Sequence, residues 1–166
     1  YSVIAVVDKS SEGKLRLVFV KRFKLGTEYA SVVGYLKVLQ EKLAYIRKIL
    51  IDQTGVGEYF VEEVSRPSQE GGIRNAEGII LTLPNKQQVL GYLRKVMEEK
   101  KLAIPYDADL IAELNIERYE LTKTGQIQFS HPDGTHDDRL WALALACWAA
   151  RDIGTDRTRP VARSIG

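Results

Sequence analysis

The stretch at residues 48–66, KILIDQTGVGEYFVEEVSR, predicts a strand, a tight turn and a helix in succession. Its apolar run has the length of a strand and ends at Asp52, and glycines follow before a helical pattern begins near Glu58. Upstream, apolar residues at helical spacing begin near Thr27, which is available as an N-cap. Helix and strand that alternate in this way imply parallel pairing, so the stretch predicts an α/β fold.

The start of the chain predicts two more strands. Residues 1–8, YSVIAVVD, are rich in β-branched side chains, and residues 14–23, KLRLVFVKRF, alternate between apolar and more polar positions. The turn KSSEG at residues 9–13 lies between them. This order is typical of an antiparallel hairpin.

Downstream, predicted strands and helices continue to alternate. A glycine-rich loop at 66–78 leads to a short strand, IILTL at 79–83, and an amphipathic helix at 85–102 that ends near Pro105. Residues 114–129 then predict two strands around a KTG turn, and the final helix is predicted to begin near Asp137. Residues 1–151 are expected to form one domain, and residues 152–166 a basic, irregular tail.

Composition narrows the classes of protein to which the chain can belong. The chain has 166 residues, 45% of them hydrophobic and 28% charged, as in ordinary globular domains. No apolar run reaches the roughly 18 to 20 residues of a membrane span. A lone cysteine, Cys147, cannot form an internal disulfide, which favours a reducing, intracellular setting. The net charge of +2 is too small to indicate nucleic-acid binding by itself.

Asp52 is the first candidate for chemistry. The carboxyl ends of parallel strands are where α/β sheets usually hold their sites, and Asp52 is predicted to end such a strand. The alternative is that its carboxylate only accepts hydrogen bonds within the turn DQTG.

Asp137 and Asp138 are the second candidate, because they precede the most apolar helix of the chain. An N-cap explains one of them, most simply Asp137 together with Thr135. An N-cap does not explain why there are two. Adjacent like charges repel, and a buried helix would place both in a partly desolvated environment. A divalent cation would compensate, so Asp52 and one aspartate of the pair together predict a carboxylate site for Mg²⁺ or Mn²⁺.

Other polar residues give weaker signals. His136 adjoins the aspartates and is expected to orient a ligand rather than bind zinc, since a zinc site needs more ligands at suitable spacing. Lys86, Lys123 and Arg139 are candidate contacts for a DNA backbone, although scattered solvated charge is the alternative. The segment GVGE lacks the Lys and Ser/Thr of a P-loop, so no ATP site is predicted.

The order of these features resembles the nuclease domain of viral large terminase subunits, a branch of the RNase H-like superfamily. The motifs that carry the resemblance are HDD before an Ala/Leu-rich helix (136–138) and D-x-x-G-V-G after a strand (52–57). The resemblance implies a three-layer α/β fold with a mixed central sheet and an extra hairpin before the last helix. It also implies that Asp52 and Asp138 are catalytic metal ligands, and that Asp137 either shares the metal or caps the helix.

The resemblance also implies a missing element. The superfamily has three antiparallel strands before its first helix, and its first catalytic aspartate lies on the opening, central strand. Only two strands are predicted here, so that strand is expected upstream of Tyr1, in a longer protein. Asp8 would fill the role only if residues 1–8 were the first strand, and the helix would then follow one strand too early.

The function implied is a metal-dependent endonuclease that cuts concatemeric double-stranded DNA with two Mg²⁺ or Mn²⁺ ions during viral packaging. The implied partners are the DNA, the terminase ATPase domain, the portal and the small terminase subunit, in the host cytoplasm and without a membrane. Two alternatives stay open. One is another RNase H-like nuclease, of the junction resolvase or transposase type. The other is a non-catalytic nucleic-acid-binding domain that lacks the first carboxylate.

Overall fold

A computed structural model describes residues 1–43, 45–54, 66, 72–116, 118–121, 127–130 and 136–154. The chain opens with strands β1 (Val3–Lys9) and β2 (Leu15–Arg22), which pair antiparallel with Val3 opposite Arg22 and Lys9 opposite Leu15. The turn between them places Gly13 at a φ of +78°, a conformation that favours glycine. The predicted hairpin is confirmed.

Helix α1 (Tyr29–Lys42) follows the predicted spacing and buries Val32, Val33, Leu36 and Leu39. The prediction that Thr27 caps this helix is wrong. Glu28 occupies the cap position without a side-chain hydrogen bond, and the Thr27 hydroxyl instead donates to the Lys24 carbonyl oxygen at 2.7 Å. The hydroxyl therefore closes the preceding turn.

Strands β3 (Ile49–Asp52) and β4 (Ala76–Ile79) pair in parallel, as the alternation of elements predicted. The helix predicted from Glu58 lies outside the described residues. Strand β4 begins at Ala76, inside the predicted loop, and shares only Ile79 with the strand predicted at 79–83. Thr82 instead caps helix α2 (Leu83–Glu98) by accepting from the Asn85 N–H, and a proline lies in the first turn. Residues 80–82 therefore lead into the helix.

Two short elements were not predicted. Strand β5 (Leu102–Ala103) pairs in parallel with Leu15 and Arg16 of β2, which makes that sheet mixed. Helix α3 (Ala108–Ile116) begins after Asp107, whose Oδ1 accepts the Leu110 N–H at 2.9 Å. Strands β6 (Arg118–Leu121) and β7 (Ile127–Ser130) then form the predicted antiparallel hairpin, with a shorter first strand.

The last helix, α4 (Asp138–Arg151), begins where the sequence predicted and lies in the main core. Leu140, Leu143, Ala144 and Cys147 are 0–2% exposed. Burial raises the pKa of the Cys147 thiol to about 12, so the thiol is protonated and inert at neutral pH. Within the described residues, no helix combines the length and apolar character that a bilayer crossing requires.

Helices cover both faces of the strands. Ile4 and Val6 of β1 pack with α1, whereas Ala5 and Val7 pack in the core that contains α2 and α4. Strand β3 divides in the same way: Ile49 and Ile51 belong to the α1 core and Leu50 to the α4 core. The two strands therefore present corresponding faces to the same two helical layers.

Candidate active site

A cleft of about 1580 Å³ separates β1 from β3. Both strands line it, yet they make no hydrogen-bonded pairing with each other, and α4 packs against both. Ordinary small-molecule pockets measure about 300 to 1,000 Å³, so this cleft exceeds the size that a small ligand needs. Asp52, Asp137, Asp138 and Lys86 also line it.

Asp52 reaches the cleft from the carboxyl end of β3. Its Oδ1 atom accepts the Thr54 N–H at 2.8 Å, and the Thr54 hydroxyl oxygen accepts the Leu81 N–H at 2.8 Å. These bonds join the turn after β3 to the residues that follow β4. The carboxylate therefore has the turn role expected of an aspartate in DQTG, and the same bond holds it at the cleft.

Asp138 reaches the cleft from the first turn of α4. Its Oδ1 atom lies 3.4 Å from the Tyr1 nitrogen, whereas its Oδ2 atom is buried and accepts no hydrogen bond from any described residue. A buried carboxylate oxygen without a donor is costly in free energy unless a cation or a donor binds it. Asp138 thus has the unsatisfied oxygen that a metal ligand requires.

The side chain of Asp137 does not cap α4, which was one of the two roles expected of it. Asp137 occupies the N-cap position of α4, but its side chain makes no capping hydrogen bond. Its Oδ2 atom instead accepts the indole N–H of Trp141 at 2.9 Å. The Lys86 ammonium lies 5.5 Å from the centre of the Trp141 ring, so Asp137 fixes the ring against which Lys86 rests.

Glu113 of α3 supplies the cap that Asp137 was expected to provide. Its Oε2 atom accepts the backbone N–H of Arg139 at 2.7 Å and that of Leu140 at 2.9 Å. The prediction of a cap by Asp137 and Thr135 is therefore wrong for Asp137, and Thr135 lies outside the described residues. A cap from another helix is possible because α3 packs against α4.

The Glu113 carboxylate is almost completely buried, with its side chain 7% exposed. Burial raises the pKa of Glu113 above its usual range, while the two N–H donors and the Arg139 guanidinium act in the opposite direction. One sequence signal marked this residue: in DLIAELNI, Glu113 lies between Leu110 and Leu114 on the apolar face of the helix.

Among the remaining candidates, His136 is exposed, and its ring makes an edge contact with Tyr1 at 5.1 Å between centroids. Arg139 is 15% exposed and forms an ion pair with Asp109 at 2.7 Å. This pairing leaves Arg139 little access to a DNA backbone. Asp8 lines the cleft and pairs with Arg16 at 3.3 Å. Lys123 lies outside the described residues.

The carboxylates of the cleft fit a hard divalent cation in chemistry, because Mg²⁺ and Mn²⁺ prefer oxygen ligands. Asp52 and Asp138 line one cleft, and the buried Oδ2 of Asp138 has no donor in the described structure. Across the described part of the chain, no group of three or more His, Cys, Asp or Glu side chains lies close enough to hold a metal ion. The described residues thus supply part of a ligand set.

Comparisons with known proteins agree with this fold. No protein-family model matches the chain. The large terminase subunit of Thermus virus P23-45 is 30% identical over 147 residues, which are 88% of this chain and 28% of that protein. The chain therefore spans just over a quarter of the length of this relative.

Solved structures match over most of their length. The large terminase nuclease from thermophilic phage G20c with bound magnesium superposes with a TM-score of 0.70 at 24% identity, covering 88% of this chain and 81% of that one. The Thermus phage P74-26 large terminase nuclease domain gives a TM-score of 0.62 at 21% identity, covering 93% and 83%. Cobalt- and zinc-bound forms of the G20c nuclease match as well. The chain is thus a homologue of viral large terminase subunits, with the fold of their nuclease domain.

Proposed function

We propose that this chain is a metal-dependent endonuclease domain that hydrolyses phosphodiester bonds of double-stranded, concatemeric DNA during viral packaging. The observation that carries the proposal is that Asp52 and Asp138 line one cleft, where Asp138 Oδ2 is buried and has no donor among the described residues. The homology to large terminase subunits supports the choice of reaction and substrate.

Asp52 and Asp138 would hold two Mg²⁺ or Mn²⁺ ions, with Asp137 close enough in sequence to share one. Bound there, the ions would activate water and stabilise the charge on the attacking and leaving oxygens. The protein would contribute fixed ligands: the Thr54 N–H holds Asp52, and the first turn of α4 holds Asp138. His136 is proposed to orient this region without binding the metal.

A complete site needs a further carboxylate, and we propose that it arrives on a central strand that fills the cleft between β1 and β3. Such a strand, preceding Tyr1 in the native protein, would complete an RNase H-like sheet in a domain that extends through residue 151. Support comes from the lack of pairing between β1 and β3 and from the matching faces that they present to α1 and α4.

Lys86 is proposed to contact a phosphate, since it lines the same cleft as Asp138 and rests against Trp141. Lys123 and the basic residues of the tail from 152 onward would add backbone contacts, which carry no sequence preference. The whole protein would work in the host cytoplasm with the ATPase domain, the portal and the small terminase subunit.

The test is plasmid digestion by the full-length protein in Mn²⁺, compared with D52A, D138A and the control D152A. Asp152 is exposed and pairs with Arg151 at the far end of α4. Loss of a metal ligand should reduce cutting by more than the ~10 to 100-fold that loss of an outer partner causes, and D152A should cut normally. EDTA should abolish cutting. If D52A and D138A cut as fast as wild type, the site assignment is wrong.

A further inference from the structure

The first turn of α4 requires partners for its backbone N–H groups, and in most helices a side chain at the N-cap supplies one. Here the N-cap residue, Asp137, gives its carboxylate to Trp141. The N–H groups of Arg139 and Leu140 are both taken by the Oε2 atom of Glu113, which lies 26 and 27 positions earlier in the chain. The helix is therefore capped from outside.

This external cap has a consequence for Asp138. Carboxylates in the first turn of a helix are attracted to the N–H groups there, because those donors are otherwise unpaired and form the positive end of the helix dipole. Glu113 already occupies the donors of Arg139 and Leu140, so Asp138 is not drawn into capping. Its Oδ2 atom stays buried without a donor among the described residues and is available to a ligand.

We propose that Glu113 is a positioning residue for the metal site: by capping α4 from α3, it keeps the Asp138 carboxylate free to bind a divalent cation. The inference rests on the proposed function, since it assumes that Asp138 is a metal ligand. Glu113 itself does not touch the metal. The near-complete burial of its side chain, 7% exposed, keeps water from replacing it as the acceptor.

The experiment measures the Mn²⁺ dissociation constant of the full-length protein, without nucleotide, by calorimetry and by the electron paramagnetic resonance of free Mn²⁺. D138A identifies the fraction of binding that belongs to this site. E113A removes the cap, and E113Q keeps an oxygen that accepts both N–H groups while it loses the charge. D109A is the matched control, because it removes the exposed partner of Arg139 and leaves the cap intact.

We expect E113A to weaken Mn²⁺ binding by about 10-fold or more, as for loss of an outer partner of a metal ligand, and E113Q and D109A to stay within about threefold. Normal Mn²⁺ binding by E113Q would show that the metal site depends on the capping hydrogen bonds and not on the charge of Glu113. If folded E113A binds Mn²⁺ like wild type, or if E113Q weakens binding as much as E113A does, the inference is wrong.

Two other outcomes of the binding experiment have separate meanings. If E113A does not fold, E113D replaces it, because the shorter side chain keeps the charge and withdraws the oxygen from the two N–H groups. Weakening of Mn²⁺ binding by about 10-fold or more then supports the inference, and wild-type affinity overturns it. If D138A binds Mn²⁺ like wild type, the proposed function fails, whereas a loss in D138A without a loss in E113A refutes only the role of Glu113.

Discussion

Three carboxylates surround the start of α4, and their neighbours give each a different role. Glu113 accepts two backbone N–H groups, Asp137 accepts the Trp141 indole N–H, and Asp138 keeps a buried oxygen without a donor in the described structure. An oxygen satisfied inside the protein has little to gain from a metal, whereas a buried unsatisfied oxygen has much to gain. Of the three carboxylates, Asp138 is therefore the one with a buried oxygen still available to a metal.

The burial of Glu113 predicts how stability depends on pH. Its pKa is raised in the folded protein above the ordinary value of 4.5, mainly because burial disfavours the charged form. The favourable contribution of the group is therefore complete below the unfolded pKa and is lost as the pH rises through the folded pKa. Wild type should lose stability relative to E113Q over this range, and the difference should level off at higher pH.

Urea unfolding of both proteins at a series of pH values measures this difference. Every other titrating group is shared, so its contribution cancels between the two proteins. The opposite trend, in which wild type gains on E113Q as the pH rises, would show that the two N–H donors and Arg139 outweigh burial. The raised pKa would then be incorrect.

The sequence identified the aspartates that line the cleft better than it explained their contacts. Asp52 and Asp138 were identified from local patterns, a strand end and a helix start. The cap was misassigned because Glu113 and the N–H groups that it accepts are far apart in the chain, and no pattern within α4 shows that a neighbouring helix caps it. The access of Arg139 was unpredictable for the same reason, since its partner Asp109 belongs to α3.

At the scale of elements, α4 is held at both ends by side chains from other parts of the chain. Glu113 of α3 caps its start, and Lys9 of β1 caps its end. The Lys9 ammonium donates to the carbonyl oxygens of Ala150, Arg151 and Ile153 at 2.9, 3.2 and 2.7 Å. A cation at this end also opposes the negative end of the helix dipole. The position of Asp138 therefore depends on both attachments.

Replacing Lys9 by methionine should destabilise the protein by about 2 kcal/mol, because three carbonyl groups lose a charged donor and the helix dipole loses its cation. Methionine keeps most of the apolar stem, so packing changes little. Urea unfolding measures the loss.

The control for this change is Lys14→Met in the same hairpin. Lys14 is 67% exposed and pairs only with the equally exposed Glu12 in the described contacts, so its loss should not be measurable. Equal stability of the two variants would mean that the Lys9 contacts contribute nothing to the attachment of α4.

The elements with strong periodicity were the ones that the sequence predicted. The β1–β2 hairpin, the parallel pairing of β3 with β4, and helix α4 follow from alternation and apolar spacing. The two residues of β5 show no pattern of their own, and they count as a strand only because β2 lies beside them. Helix α3 was missed because its few turns gave no long apolar repeat, and Asp107 was not recognised as its cap.

At the scale of the whole molecule, the cleft separates strands β1 and β3, but both strands pack against the same two layers of helices. Along both β1 and β3 the side chains alternate between two faces, so that one set packs toward α1 and the other toward α4. Strands of a single sheet share their faces in this way, because side chains alternate with a period of two. These shared faces support the proposal that a central strand fills the cleft.

Backbone hydrogen exchange tests whether a strand occupies that position in the full-length protein. In an antiparallel pair, alternate amides of β1 point toward β2 and the others point toward the opposite edge. Amides that face an open edge exchange with water rapidly, and amides paired within a sheet exchange slowly. A central strand should therefore make both alternating sets of β1, over Val3–Lys9, slow to exchange.

Strand β2 provides an internal reference for this measurement. The β1–β2 register shifts between Val6 and Val7, so the regular part of β2 that serves as reference is residues 19–22. Its outer edge has no strand partner among the described residues, because β5 pairs only with Leu15 and Arg16. Alternate amides there should exchange rapidly while their counterparts in β1 do not. If alternate β1 amides exchange as fast as that reference, no strand fills the cleft, and the further carboxylate of the proposed metal site has to come from elsewhere in the protein.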